Sequence, residues 1–151
     1  MYTTSDNPLA RWLLSLVALA FLVATGCDSS PNRFEVTGTL KIDGTPVPMG
    51  MIVMTPDKPK GNSGPQGIAE VRDGTIVQTH REIVGGPHWL EIHTFDGVAY
   101  EDVEGTVQTG KPILEPQRVQ VDLPRANAEV QIDMRKDGGG QYVVDVKVSG
   151  A

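Results

Sequence analysis

Hydrophobic and polar residues alternate with a period of two along most of the chain after residue 33. Successive side chains of a β-strand point to opposite faces of a sheet, so this alternation predicts strands with one buried face. The clearest apolar rows lie in the last third of the chain: Val119, Val121 and Leu123; Val130, Ile132 and Met134; Tyr142, Val144, Val146 and Val148. This region lacks the sustained 3.6-residue apolar period of a surface helix.

The first half of the same region predicts further strands separated by turn residues. An alternating run begins at Phe34, and residues 50–55 are more uniformly apolar, which predicts a central strand. Residues 67–72 and 75–80 flank Asp73-Gly74, a dipeptide typical of a two-residue hairpin turn. Residues 87–95 predict the next strand, and residues 96–116 a long loop with a short strand near residues 105–108.

These elements predict an all-β fold, a β-sandwich of about seven to eight short strands. Two sheets packed face to face would bury the apolar face of each strand, with Val121 and Ile132 in the core. Residues 34–149 form one domain long enough to bury a core without disulfide bonds, and we expect it to be a monomer.

The N-terminal segment has a different pattern, because its apolar residues are continuous. The apolar run over residues 12–23 follows a single basic residue, Arg11, and ends in Ala24-Thr25-Gly26-Cys27. This order is typical of a secretory signal, and the run is shorter than the ~20 residues that span a bilayer. The last four residues resemble the lipobox of bacterial lipoproteins, although Ala24 stands where Leu is commoner.

The lipobox resemblance implies that residues 1–26 are a signal peptide, cleaved before Cys27, and that Cys27 is acylated, with palmitate for example. Cys27 is the only Cys, so an intramolecular disulfide cannot form. Two or more acyl chains would hold the protein stably in a bilayer, on the extracytoplasmic side of the cell envelope. Residues 27–33 would form a tether of at most ~20 Å. The alternative is an uncleaved anchor helix with an incidental Cys.

Three segments resemble carboxypeptidase regulatory-like domains. Residues 36–47 match a pattern of Val-x-Gly-x-Val followed by Asp-Gly-x-Pro-Val/Leu, here Asp43-Gly44-Thr45-Pro46-Val47. Residues 51–56 match the strand that follows, and residues 69–76 match a small residue followed by Asp-Gly. The resemblance covers residues 34–95 and implies a transthyretin-like (prealbumin-like) sandwich of about seven strands. It also implies a noncatalytic folding or binding accessory.

Net charge and the candidate catalytic residues also favour a noncatalytic protein that does not bind nucleic acid. The formal net charge of −6 argues against a nucleic-acid partner, since phosphate binding needs clustered Lys and Arg. Ser63 is the only Ser between residues 34 and 148, and its Gly/Pro-rich surroundings lack a nucleophile motif. A transthyretin-like branch that hydrolyses 5-hydroxyisourate ends in Tyr-Arg-Gly-Ser, unlike residues 147–151 here. We therefore expect no enzyme activity and no cofactor.

Two other groups of polar residues suggest chemistry only weakly. The histidines are His80, His88 and His93, and the last two would point to opposite faces of one strand, so no metal site is expected. Glu101, Asp102 and Glu104 could in principle supply the paired carboxylates of a glycosidase. A solvated acidic loop explains them better, because charge runs usually form exposed faces.

Residues 87–95 carry the candidate binding site. Their alternation turns the aliphatic pair Leu90 and Ile92 toward the core. The opposite face then presents a row of two aromatic rings, a carboxylate and an imidazole: Trp89, Glu91, His93 and Phe95. Such a row suits stacking on a sugar ring or anchoring a partner protein. The alternative is that the long loop over residues 96–116 covers Trp89 in a satellite core.

The sequence therefore favours a noncatalytic envelope lipoprotein, anchored to the lipid bilayer through acylated Cys27. Its β-sandwich would bind an envelope protein or a glycan. A purely structural coat lipoprotein is the second candidate, and an enzyme of unrecognised type is the third.

Overall fold

The computed structural model describes residues 32–77, 83–108 and 110–150. The signal-peptide prediction, Cys27 and His80 lie outside these residues. The described part is all-β, as the alternation predicts, with one 3-10 helical turn at Lys58–Lys60. No helix in the described ranges is long and apolar enough to cross a membrane.

The described residues form eleven strands, against the seven to eight expected. They are β1 (Val36–Ile42), β2 (Thr45–Pro46), β3 (Met49–Pro56), β4 (Gly67–Arg72), β5 (Thr75–Val77), β6 (Gly86–Phe95), β7 (Tyr100–Glu101), β8 (Val107–Gln108), β9 (Pro112–Leu123), β10 (Ala128–Lys136) and β11 (Tyr142–Gly150). β2 and β7 were not predicted, whereas β8 lies within the short strand expected near residues 105–108. These three strands have two residues each, too few to show a period.

One hydrogen-bonded sheet contains nine of these strands, where the sequence predicted two separate sheets. Its order is β11-β10-β1-β5-β4-β3-β6-β9, with β2 paired to β1, while β7 and β8 form a separate hairpin. β5 pairs with both β1 and β4 and so joins the two halves. The edge strands β9 and β11 lie next to each other, so the sheet is nearly closed.

The loops gather at two ends of this sheet. β1 and β10 begin at one end, which we call the N-terminal end, and β3, β5, β9 and β11 finish there. Its described loops are residues 32–35, 57–66, 83–85 and 124–127. The opposite end, the turn end, carries residues 43–48, 73–74, 96–108, 110–111 and 137–141.

The core lies between the inner faces of the strands, as the period-two pattern predicts. Leu40, Ile52, Leu90 and Ile132 are at most 2% exposed. The expectation that Val121 is a core residue is only partly met, because it lies on the edge strand β9 and stays half-buried.

Turn chemistry confirms one predicted hairpin. Asp73 and Gly74 have positive φ angles of 49° and 75°, and they form the two-residue turn between β4 and β5. A two-residue turn of this kind matches the right-handed twist of the flanking strands.

Two loops have bounds that differ from those predicted from the sequence. β9 starts at Pro112, although the loop was expected to reach residue 116. Its pairing with β6 is interrupted by a register shift between Ile92 and Thr94, opposite Glu115 and Pro116. A bulge tolerates a proline that cannot donate to the ladder, so the strand continues through it. The exposed loop expected at residues 56–66 begins with two buried residues, Pro56 and Asp57.

Candidate binding surface

The strand β6 places the four candidate residues on the outer face of the sheet. The alternate residues His88, Leu90, Ile92 and Thr94 point inward and are at most 2% exposed. On the other side, Glu91 is exposed, while Trp89, His93 and Phe95 are half-buried. The structure thus aligns all four along one strand, facing away from the core.

Trp89 is covered on one face by an arginine from the neighbouring strand. The guanidinium carbon of Arg118, on β9, lies 4.5 Å from the centroid of the indole ring. This distance is typical of a cation–π contact. A sugar ring could stack on this face of the indole only by displacing Arg118, which argues against the glycan alternative.

The long loop that was considered as a cover for Trp89 leaves β6 at the turn end. Trp89 lies six positions before Phe95, the last residue of β6, and its cross-strand neighbours are Thr55 of β3 and Gln120 of β9. At ~3.3 Å per residue, this separation is roughly 20 Å along the strand.

Glu91 and His93 form a pair on the same strand. The Nε2 atom of His93 lies 2.9 Å from Oε1 of Glu91. Arg118 is the cross-strand neighbour of Glu91, yet its guanidinium lies over the indole. The carboxylate of Glu91 is therefore held by the imidazole.

Apolar residues of β3 and β4 extend this outer face sideways. Val53 lies between Ile68 and Glu91, and Met51 lies between Glu70 and His93. Ile68 is 47% exposed, whereas Met51 and Val53 are half-buried. We call this surface the apolar face and define it by Met49, Met51, Val53, Ile68, Trp89 and Phe95.

Two pairs of polar side chains border the apolar face. Besides the contact between Glu91 and His93, Arg72 forms an ion pair of 2.6 Å with Glu70. Both members of each pair lie two residues apart on one strand, so the strands themselves position them. The face therefore has an apolar centre with polar and charged side chains around it.

The outer face of β1, β10 and β11 is built differently. Its cross-strand rows are polar: Thr39, Gln131 and Lys147 in one; Lys41, Asp133 and Asp145 in the next. Asp133 accepts a hydrogen bond from Arg135, and this bond lowers the pKa of the Asp133 carboxyl. We call this the polar face. The same domain thus has one outer face whose cross-strand rows are polar and one with an apolar centre formed by Met51, Val53 and Ile68.

Sequence reasoning missed the β3 and β4 residues of the apolar face. Residues 50–55 predict a central strand, because they are more uniformly apolar, and this pattern does not distinguish the two sides of the strand. When both sides of a strand carry apolar residues, the sequence pattern does not show which side faces the core. Only the neighbouring Ile68 and Glu91 show which side is open to solvent.

His88 and His93 lie on opposite faces of β6, as the alternation predicts. His88 is fully buried, and its Nδ1 lies 2.8 Å from the carbonyl oxygen of Gly86. Its Nε2 has no hydrogen-bond partner. Across residues 32–77, 83–108 and 110–150, no three metal-ligating side chains come together.

The acidic loop is organised by Asp102. Its Oδ1 accepts the backbone N–H groups of Glu104 at 3.0 Å and Thr106 at 2.9 Å. Its Oδ2 accepts the side-chain amide of Gln108 at 2.9 Å. The Gln108 bond, followed by the Thr106 bond, lowers the pKa of Asp102. These bonds hold together the β7–β8 hairpin, which gives this carboxylate a structural role.

The candidate binding surface is thus assembled from three neighbouring strands, and the four residues predicted from the sequence form one of its sides. Ser63 lies apart from it, exposed in the loop between β3 and β4. In comparisons with known proteins, the chain matches no family model, no curated protein and no solved structure.

Proposed function

We propose that the protein is a noncatalytic envelope lipoprotein, anchored through acylated Cys27, whose β-domain binds a partner protein through the apolar face. The anchoring rests on the lipobox-like residues 24–27 at the end of an apolar run. The domain itself is proposed to be a transthyretin-like sandwich of the carboxypeptidase regulatory-like type, on the strength of residues 34–95.

The contrast between the two outer faces carries the binding proposal. The polar face has the composition expected of a sheet in contact with water. On the apolar face, Met51, Val53 and Ile68 are neighbours on adjacent strands, so their exposed surfaces join. Contiguous apolar surface rimmed by polar residues is typical of protein interaction sites.

The charges and side-chain types around this surface favour a protein partner. Charges already paired within the chain, such as Glu70 with Arg72, keep their partner when an interface forms. This lowers the cost of removing them from water. Methionine is flexible and polarizable, so Met49 and Met51 can adapt to the shape of a partner.

A noncatalytic role is supported by the positions of the residues considered for catalysis or metal binding. Asp102 holds the β7–β8 hairpin together. Ser63 lies exposed in a loop, and His88 is buried against the backbone of its own strand. None of these three side chains belongs to the apolar face.

A photocrosslinking experiment in living cells tests the binding proposal. A photoreactive residue replaces Ile68 on the apolar face or, as the matched control, Gln131 on the polar face. We expect a discrete crosslinked protein from position 68 only. A second substitution, Met51→Lys, should abolish that product, because it places a charge at the centre of the interface. Equal products from both positions, or a product insensitive to Met51→Lys in a normally folded protein, would contradict the proposal.

A further inference from the structure

The charged residues of the described loops are divided between the two ends of the sheet. At the N-terminal end, the loops carry four exposed basic residues: Arg33, Lys58, Lys60 and Arg125. The same loops contain two acidic residues, Glu35 and Asp57, and Asp57 is only 3% exposed. The described loops of this end therefore carry more exposed basic than acidic side chains, although the chain as a whole is acidic. Two exposed carboxylates, Asp122 and Glu129, lie on the adjoining ends of β9 and β10.

The turn end has the opposite charge. Its described loops carry seven carboxylates and a single basic residue, Lys111. The carboxylates belong to Asp43, Asp73, Asp96, Glu101, Asp102, Glu104 and Asp137. The two ends are separated by strands such as β10, whose nine residues span roughly 30 Å. At 0.1 M salt the Debye length is about 10 Å, which is shorter than this separation. A charged surface in contact with one end therefore interacts mainly with the charges of that end.

The loop that carries Lys58 and Lys60 is held firmly. The backbone N–H groups of Lys60 and Asn62 donate to the carbonyl oxygen of Asp57 at 3.0 and 3.1 Å. The side-chain amide of Asn62 donates to the carbonyl oxygens of Gly85 at 2.9 Å and Pro87 at 2.8 Å. These bonds fix the loop against the start of β6, so both lysines are presented on a preformed surface.

The acidic residue nearest to these lysines is turned inward. The carboxylate of Asp57 accepts a hydrogen bond from the side-chain amide of Gln120, on β9. It is buried, whereas Lys58 and Lys60 on the same loop are exposed. Burial of this carboxylate leaves the outer surface of the loop positively charged.

The chain enters the domain at this same end. The described residues begin at Asn32, and the backbone N–H of Phe34 donates to the carbonyl oxygen of Ile83 at the N-terminal end. Asn32 lies five positions after Cys27, and five residues span at most about 18 Å. If Cys27 is lipidated as proposed above, the headgroups lie within reach of the basic end.

We propose that the basic N-terminal end docks on an anionic lipid surface and thereby orients the domain. The turn end then points away from the membrane, because its carboxylates are repelled by anionic headgroups. The apolar face stands upright at the side of the domain, where a partner protein in the same membrane can reach it. This orientation rests on the proposed lipoprotein function, but the attraction itself depends only on the basic end.

Vesicle binding by the full chain tests this proposal. The chain carries Cys27→Ser, so acylation is absent, and sucrose-loaded vesicles contain phosphatidylcholine alone or with phosphatidylglycerol. We expect tighter binding to the anionic vesicles. Each basic residue near such a surface contributes about fivefold in affinity, so Lys58→Gln with Lys60→Gln should reduce this binding by more than tenfold. Binding to pure phosphatidylcholine, through the apolar N-terminal run, should stay unchanged.

A matched double variant at the turn end is the control. Lys111→Gln with Lys136→Gln removes the same net charge at the opposite end and should leave binding to anionic vesicles unchanged. Equal losses in both double variants would show that net charge, not the basic end, controls binding, and would overturn the proposal. No loss in the Lys58 and Lys60 double variant would overturn it as well. Failure of the lipoprotein proposal is read separately, from an unprocessed N-terminus in the wild-type cellular protein.

Discussion

Gly38 shows how one residue can determine the distance between two strands. Its φ angle is +144°, and a Cβ atom built on it would lie 1.8 Å from the carbonyl oxygen of Val130. Gly38 and Val130 are direct partners in the parallel pair of β1 and β10. A side chain here cannot be accommodated unless one of the two strands moves.

We therefore expect Gly38→Ala to lower the free energy of unfolding by at least about 2 kcal/mol, through strain and backbone clash. Gly138→Ala is the control, because a Cβ atom at that position meets nothing within 4 Å. Urea unfolding of the two variants measures the difference. A Gly38→Ala protein as stable as the control would show that β1 and β10 do not pair as closely as described.

Arg118 should control the solvent exposure of Trp89, since its guanidinium lies over the indole ring. In a Trp12→Phe background, Trp89 is the only Trp and its fluorescence can be read alone. We expect Arg118→Ala to shift the emission to longer wavelength and to increase quenching by acrylamide. Arg72→Ala, which removes an arginine paired with Glu70 on the same outer face, should leave the spectrum unchanged.

The Asp102 carboxylate should titrate below its ordinary pKa of 3.8, because Gln108 and two backbone N–H groups bind its ionised form. A depressed pKa in the folded state means that these bonds stabilise the hairpin above the ordinary pKa. Their contribution is lost as the pH falls through the lower, folded value. NMR titration of the Glu104 and Thr106 amides measures this midpoint. A midpoint at or above 3.8 would contradict the hydrogen-bond pattern.

At the scale of strands, burial depends on position in the sheet as well as on alternation. Ile132 lies on β10, between β1 and β11, and is 1% exposed. Val121 is also an apolar residue between two polar ones, but it lies on the edge strand β9 and is half-buried. The pattern predicts which side of a strand is apolar, whereas the neighbours on both sides decide how deeply it is buried.

Ile132→Asp should therefore unfold the domain, since it places an unpaired carboxylate in the core at a cost of several kcal/mol. Val121→Asp should lower the melting temperature by less, because the carboxylate can reach water at the sheet edge. Circular dichroism reports both outcomes, and the wild-type spectrum should show little helix. Equal melting temperatures for the two variants would contradict this account of the edge strand.

At the scale of the whole molecule, the chain combines an N-terminal sequence signal with a domain whose two outer faces and two ends differ in character. We expect the cellular protein to begin at a lipidated Cys27, because the sole thiol coincides with the end of the apolar run. Mass spectrometry of the purified N-terminus measures this directly. Cys27→Ala should leave an unlipidated precursor that retains residues 1–26, whereas an intact Met1–Gly26 segment on the wild-type protein would contradict the lipoprotein proposal.

The sequence by itself determined the all-β class, the Asp73-Gly74 hairpin and the inward face of β6, because these depend on side-chain alternation and on local backbone preference. Such information is contained in a few consecutive residues. It also located the row of Trp89, Glu91, His93 and Phe95 on one side of a strand.

The tertiary structure alone decided the parallel pairing of β1 with β10, which joins residues about 90 positions apart, Val36 with Ala128 among them. It also decided the cover of Arg118 over Trp89, the extension of the apolar face through Met51 and Ile68, and the separation of charge between the two ends. These features depend on which strands become neighbours. That choice follows from the packing of the whole core, and no local run of residues contains it.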